Sequence, residues 1–162
     1  MVDSMRWRYG DTHPVVMAVD SATVIEIGDL VYLNTDDALP ASTVDDIGGA
    51  GPANLATAQE ALHDAFLGVA MQRSRAGDTT PIRIATRGVF ELDAASATFE
   101  VGDLVGADDN AGGTALENQQ VIAVASENQA IGRVSRRVPA ADTRVIVEIV
   151  GTINHGGPQA AA

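Results

Sequence analysis

Two Gly-Asp pairs, Gly28-Asp29 and Gly102-Asp103, are the residues of this chain most open to a chemical reading. Carboxylates on two related turns could ligate a metal or work as an acid/base pair. The same dipeptide is also what a tight turn needs, because glycine takes positive φ without steric cost and an aspartate side chain bonds the backbone of its own turn. Both pairs lie in one repeated context, Val24-Ile25-Glu26-Ile27-Gly28-Asp29-Leu30-Val31 and Thr98-Phe99-Glu100-Val101-Gly102-Asp103-Leu104-Val105, in which no catalytic partner recurs. Gly28, Asp29, Gly102 and Asp103 are therefore read as structural turn residues.

The other candidates for chemistry are weaker. Asp108-Asp109-Asn110 and Asp45-Asp46 lack the alternating oxygen ligands and distal glutamate of a calcium loop, and read as solvated loops. His13, His63 and His155 have no metal-ligand spacing among them. Ser74 and Ser126 lack the context of an activated nucleophile, and no phosphate-binding glycine loop precedes a helix. The expectation is a protein with no catalytic residues, no metal and no cofactor. Arginine is the residue type left with something to do. Arg73, Arg75, Arg83 and Arg87 cluster in one half, and Arg133, Arg136, Arg137 and Arg144 in the matching part of the other. Most should pair with nearby carboxylates. The alternative is a less acidic docking face, for which Arg73, Arg75, Arg136 and Arg137 are the candidates. Arg6-Trp7-Arg8-Tyr9 is the other candidate contact, since Trp, Tyr and Arg anchor interfaces and the chain's only Trp lies here. This segment either folds back over its own domain or reaches a neighbour.

These residues must be carried by short strands. Alternation and turn signals predict strands at Val15–Val19, Ile25–Ile27, Leu30–Leu33, Leu67–Gln72, Ile82–Thr86, Val89–Leu92, Phe99–Val101, Leu104–Ala107, Val121–Ala123, Ile131–Arg136 and Arg144–Ile153. Arg75-Ala76-Gly77-Asp78 reads as a turn, and residues 38–52 and 108–113 as loops. Thr57-Ala58-Gln59-Glu60 has a capping-box pattern, opening a short helix whose apolar stripe includes Leu55, Ala58, Leu62, Ala65 and Phe66. A second shared block links Phe66-Leu67-Gly68-Val69-Ala70 and Gly88-Val89-Phe90 with Ala130-Ile131-Gly132-Arg133-Val134 and Gly151-Thr152-Ile153. Gly28 and Gly102 lie 74 positions apart and Gly68 and Gly132 lie 64 apart, so the first copy carries about ten extra residues.

The expected fold is mainly β: an internally duplicated β-barrel or β-sandwich with one short helix and an extended N-terminal arm. Residues 1–14 form the arm, 15–153 a single duplicated domain with halves at about 15–92 and 93–153, and 154–162 a flexible tail. With 162 residues and 46% hydrophobic content the chain can build a core, and with only 4% aromatics that core should be small and β-branched. The net charge of −12 repels phosphate backbones, which argues against nucleic acid as a partner. All ten basic residues are Arg, as high-GC coding or a saline habitat would favour. The absence of cysteine excludes disulfides and thiol catalysis. No segment has the character of a signal peptide or a membrane span, so no membrane association is expected.

The order Ile27-Gly28-Asp29-Leu30-Val31, Phe66-Leu67-Gly68-Val69-Ala70, Thr86-Arg87-Gly88-Val89-Phe90-Glu91-Leu92, Val101-Gly102-Asp103-Leu104-Val105 and Ile131-Gly132-Arg133-Val134 resembles the head cement, or capsid decoration, proteins of tailed phages and gene transfer agents. The resemblance covers roughly residues 15–153. It implies a structural protein without catalytic residues on the outer surface of an expanded virion capsid. Its partners would be the major capsid protein and itself, as a homotrimer, tying capsid subunits together. Alternatives are another virion β module of the tail or a fibre, a carbohydrate-binding surface module, and an acidic enzyme using Asp29 with Asp103.

Overall fold

Runs of Val, Ile, Leu and Ala broken by Gly and Asp set an alternation of strand and turn. In the computed structural model, which describes residues 3–44 and 54–159, they form two sheets. Strand β1 (Trp7–Tyr9) belongs to the second of them. The first holds β2 (Val15–Met17), β3 (Leu30–Asn34), β4 (Asp37–Pro40), β5 (Phe66–Ala70) and β6 (Ile82–Ala85) in the order β2-β6-β5-β3-β4. A parallel bridge from Ala18 to Asp37 joins the two ends, closing a five-stranded barrel. The second holds β7 (Arg87–Phe99), β8 (Leu104–Asp109), β9 (Leu116–Ala123), β10 (Gly132–Val134) and β11 (Val138–Val150) in the order β7-β11-β10-β8-β9. Here β9 pairs in parallel with β7, so the wiring of the two sheets is the same strand for strand. The change of sheet falls at Thr86, upstream of the 92/93 boundary read from the sequence.

Strand β5 is buried along its whole length. Leu67 and Ala70 enter a cluster with Val19, Ile25, Val31, Ala38, Ile82 and Ile84, which fills the first barrel. Phe66 and Val69 enter a larger cluster with residues of both sheets, including Leu92, Val105, Val121 and Val147. β5 is thus a wall with an apolar core on each side. A register slip between Val31 and Tyr32 leaves Leu67 as an extra residue, and this bulge resets which face each side chain takes. A Cβ at Gly68 would overlap the carbonyl oxygen of Ala85, and one at Gly132 in β10 that of Glu148. These matching glycines permit close strand approach.

Helix α1 (Leu55–Ala65) buries Ala58, Gln59 and Leu62. Gln59 donates to the carbonyl of Ala107 at 2.7 Å, so the helix, carried by the first half of the chain, covers the second sheet. The N-cap is Asn54, whose side chain accepts from the Thr57 amide at 3.1 Å, and not Thr57 as the capping-box pattern predicted. Asn caps at least as well as Thr, and the earlier start brings Leu55, the first residue of the expected stripe, inside the helix. Of the predicted loop at 38–52, residues up to Pro40 belong to β4 and Ala41–Thr43 form a 3-10 turn, while 45–52 lie outside the described residues. The strand expected at Ile25–Ile27 is reduced to one bridge between Ile25 and Ser74. Its amides are taken by side chains, that of Glu26 by Asp29 at 2.9 Å and that of Ile27 by Asp3 at 2.7 Å. The tail is ordered through Gln159: α2 (Thr152–His155) follows β11, and Gly157 and Pro158 are buried, Gly157 beside His63 of α1.

The Gly-Asp pairs are turns in both sheets. Gly28 has φ +97° and Gly102 φ +93°. Asp29 accepts from the Glu26 amide at 2.9 Å and Asp103 from the Glu100 amide at 2.8 Å. Their surroundings differ: a Cβ at Gly28 would meet the Ser4 oxygen at 2.6 Å, whereas one at Gly102 would meet nothing within 4 Å. Gly102→Ala should therefore cost only the left-handed backbone term, about 1–2 kcal/mol. Gly28→Ala should cost more and loosen residues 3–6, which chemical denaturation with hydrogen exchange on the N-terminal segment will read. Equal costs would contradict this account of the two turns.

Candidate functional site

The N-terminal segment lies between the two barrels. The Ser4 amide donates to Ile27 O at 2.8 Å, Arg73 pairs with Asp3 at 2.6 Å, and β1 runs antiparallel to β7 with Trp7 opposite Phe90 and Tyr9 opposite Val89. Arg6, expected as a contact residue, is turned inward and only 8% exposed. Its guanidinium holds both oxygens of Asp93 at 3.0 Å and donates to Gln119 Oε1 at 2.7 Å, and Gln119 Nε2 donates to Asp29 Oδ1 at 2.8 Å. This chain of bonds ties the segment, β7, β9 and the Gly28-Asp29 turn together. Burial raises the pKa of Asp29, against the hydrogen bonds from the Glu26 amide and Gln119 that lower it. Asp29 is thus a buried link and Asp103 an exposed turn residue, each with one oxygen taken by its own backbone.

The outer face is different. Trp7 and Tyr9 are 43% and 54% exposed, and the Trp7 indole N–H donates to Gly10 O at 3.1 Å. Beside Trp7 opens an apolar cleft of about 330 Å³ lined by Met5, Ile27, Val69, Met71 and Phe90. Arg8 and Arg144 converge on Glu91 Oε1 at 2.8 and 2.9 Å, so one carboxylate bridges β1, β7 and β11. The hydrogen bond from Arg144, then that from Arg8, holds the Glu91 carboxyl below the usual glutamate range despite partial burial. Glu91 and Gln119 were not singled out by sequence; Gln119 signals itself only as a polar residue at an inward position of a strand, which requires the strand's register to recognise.

Of the four arginine candidates, Arg73 and Arg75 lie on the first barrel near Asp3. Arg136 and Arg137 lie at the start of β11, beside an open groove that also contains Arg144. Arg137 pairs with Glu100 at 2.8 Å, both side chains being more than 60% exposed.

The fold also joins His13 and His155, whose ring centroids lie 5.6 Å apart. The Thr86 hydroxyl donates to His13 O at 2.6 Å, so it accepts from His155 Nε2 at 2.8 Å, and that nitrogen carries the proton. Burial, then the charge of Arg87, lowers the His155 pKa. Among the described residues no group of three or more potential ligands could hold a metal ion, and no helix is long and apolar enough to cross a membrane. Asp108 is nearly buried and spends its carboxylate on Gln120 and the Asp109 amide; Asp45 and Asp46 lie outside the described residues.

Two arginines one residue apart in one short segment should thus differ in what they contribute to stability. Arg6→Ala removes a buried guanidinium together with its bonds to the half-exposed Asp93 and the buried Gln119 and should cost about 2–3 kcal/mol, while Arg8→Ala removes a surface pair and should cost about 1 kcal/mol or less. Urea denaturation of the two variants measures the difference, and equal costs would rule out Arg6 as the link between the barrels.

No curated protein matches the chain. A family model described as phage cement protein matches residues 47–149, more than half of the sequence, running from the segment before α1 through β11. The chain belongs to the phage cement protein family.

Proposed function

We propose that this protein binds the outer surface of an expanded tailed-virus head and stabilises it by bridging neighbouring subunits of the major capsid protein. Membership of a cement family, which places the protein with the phage capsid, is the observation that carries the reading. The residues support it. The carboxylates best placed for chemistry by sequence, Asp29 and Asp103, serve their own turns, so the work proposed here is binding and not catalysis. The chain is read as one duplicated β domain, two barrels of the same wiring fused through β5, made in the host cytoplasm and added to the head as a homotrimer. A fused pair of barrels presents a rigid surface, which suits a bridge that must resist subunits being pushed apart. Repetition over a lattice then multiplies modest contacts.

The capsid contact is assigned to the exposed side of β1, where Trp7 lines the apolar cleft and Tyr9 is exposed two residues on. Co-sedimentation with undecorated expanded heads of the parent virus tests this. Wild-type protein should saturate at a fixed copy number set by the lattice, and Trp7→Ala should weaken binding roughly tenfold or more with an unchanged circular dichroism spectrum. Binding at only a few copies per particle would move the protein to a vertex or the tail, and full binding by Trp7→Ala would remove the role of β1.

A further inference from the structure

The charge of this chain is sharply divided. Residues 6–9, 87–100 and 132–150, which hold β1, β7, β10 and β11 together with the residues just outside them, contain seven arginines and five carboxylates, a balance of +2 that comes from the flanking Arg6, Arg136 and Arg137 against Glu100, leaving three arginines and seventeen carboxylates, −14, for the rest. The +2 region also carries the longest strands. β7 and β11 are both 13 residues long, and residues 95, 96 and 98 of one and 139–144 of the other are exposed, forming a ribbon whose register shifts twice. Along the ribbon lies a groove of about 320 Å³ lined by Arg136, Arg137 and Arg144, by the carboxylates Glu91 and Asp142, and by apolar residues including Val138 and Ile146, with Arg144 paired to Glu91. Among the described residues Arg136 has no hydrogen-bond or ion-pair partner. The Arg137–Glu100 pair is open to water and so weakly held.

The first barrel carries the opposite feature. The β3–β4 hairpin turns at Thr35 and Asp36, and the bridge from Ala18 to Asp37 brings Asp20 to the same end. Among the described residues Asp20, Asp36 and Asp37 have no cationic partner. Burial, followed by the charges of Asp20 and Asp36, raises the pKa of Asp37. The hairpin end is anionic, while the groove holds three arginines against two carboxylates.

We propose that the arginine-lined groove of the β7–β11 ribbon docks a second copy of this chain, which enters by the Asp36 end of its β3–β4 hairpin. The proposal deepens the reading of self-association above and names its surface. Charge selects the occupant: the −14 remainder of each copy repels the same part of another and is attracted only to the ribbon. It also repels a polyanion, which makes nucleic acid a poor occupant. The two surfaces lie on different barrels, so the contact is head-to-tail, and such a contact closes into a ring when its rotation allows.

Sedimentation velocity of the full chain without heads tests this. Mass should rise with protein concentration at low salt and fall back at high salt. Arg136→Glu/Arg137→Glu and Asp20→Arg/Asp36→Arg should each weaken association about tenfold or more, and an equimolar mixture of the two should restore it. Circular dichroism checks the fold of each, and Arg136→Gln/Arg137→Gln replaces the reversal if that variant does not fold. A wild type that remains monomeric at low salt, or folded variants whose mixture fails to associate, overturns the proposal. A monomeric wild type whose head binding is lost in Arg136→Glu/Arg137→Glu overturns it in favour of the capsid as occupant. Because heads are absent from the association measurement, its failure leaves the capsid reading intact, and loss of head binding with association unchanged does the reverse.

Discussion

Strand β5 must hide apolar side chains on both of its faces, and the rest of the molecule is arranged to let it. Phe66-Leu67-Gly68-Val69-Ala70 has no polar residue to turn toward water, so a single barrel would leave Phe66 and Val69 exposed. The second sheet and α1 cover that side, and Gly68 lets Ala85 approach closely enough to seal the strand against β6. Two barrels of equal wiring therefore cannot act as beads on a string. They share β5 as a wall, with an apolar cluster on each side of it.

The N-terminal segment closes the seam that this arrangement leaves. Its backbone adds a strand to β7, and Arg6 reaches inward to Asp93 and, through Gln119, to Asp29. A buried guanidinium is costly unless its donors are met; both terminal nitrogens of Arg6 are bonded while its Nε has no partner, so the link depends on Asp93 and Gln119. The Gly28-Asp29 turn that accepts it has room because residue 28 lacks a side chain. The same segment presents Trp7 and Tyr9 outward. Fastening falls to Arg6, just before β1, and presentation to the exposed residues of the strand itself.

What sequence could reveal was mostly local. The positive φ of Gly28 and Gly102 and the self-capping of Asp29 and Asp103 depend on four residues each, and both follow from turn chemistry. The Arg75–Asp78 turn is of the same kind, with Gly77 at φ +91° and the Asp78 amide bonded to Arg75 O. The mainly β class followed from residue types and spacing. The inward course of Arg6 depends on Asp93 and Gln119, which are far away in the chain, and an Arg-Trp-Arg-Tyr run gives no sign of which arginine is buried. The full lengths of β7 and β11 were hidden because their exposed ends carry Ala, Ser, Pro and Asp, which strand propensity penalises but pairing between the two strands supports. The packed tail has the same cause: His-Gly-Gly-Pro is flexible in isolation, and α1 supplies the surface that orders Gly157.

The proposed role is mechanical: a double barrel on the head surface would hold capsid subunits together. Thermal rupture of DNA-filled heads depleted of this protein and then supplied with it, followed by the release of DNA to a fluorescent dye, tests that claim most directly. The account predicts that rupture moves to higher temperature in proportion to occupancy and levels off when the sites are full. Saturated heads that rupture at the same temperature as depleted ones would contradict it.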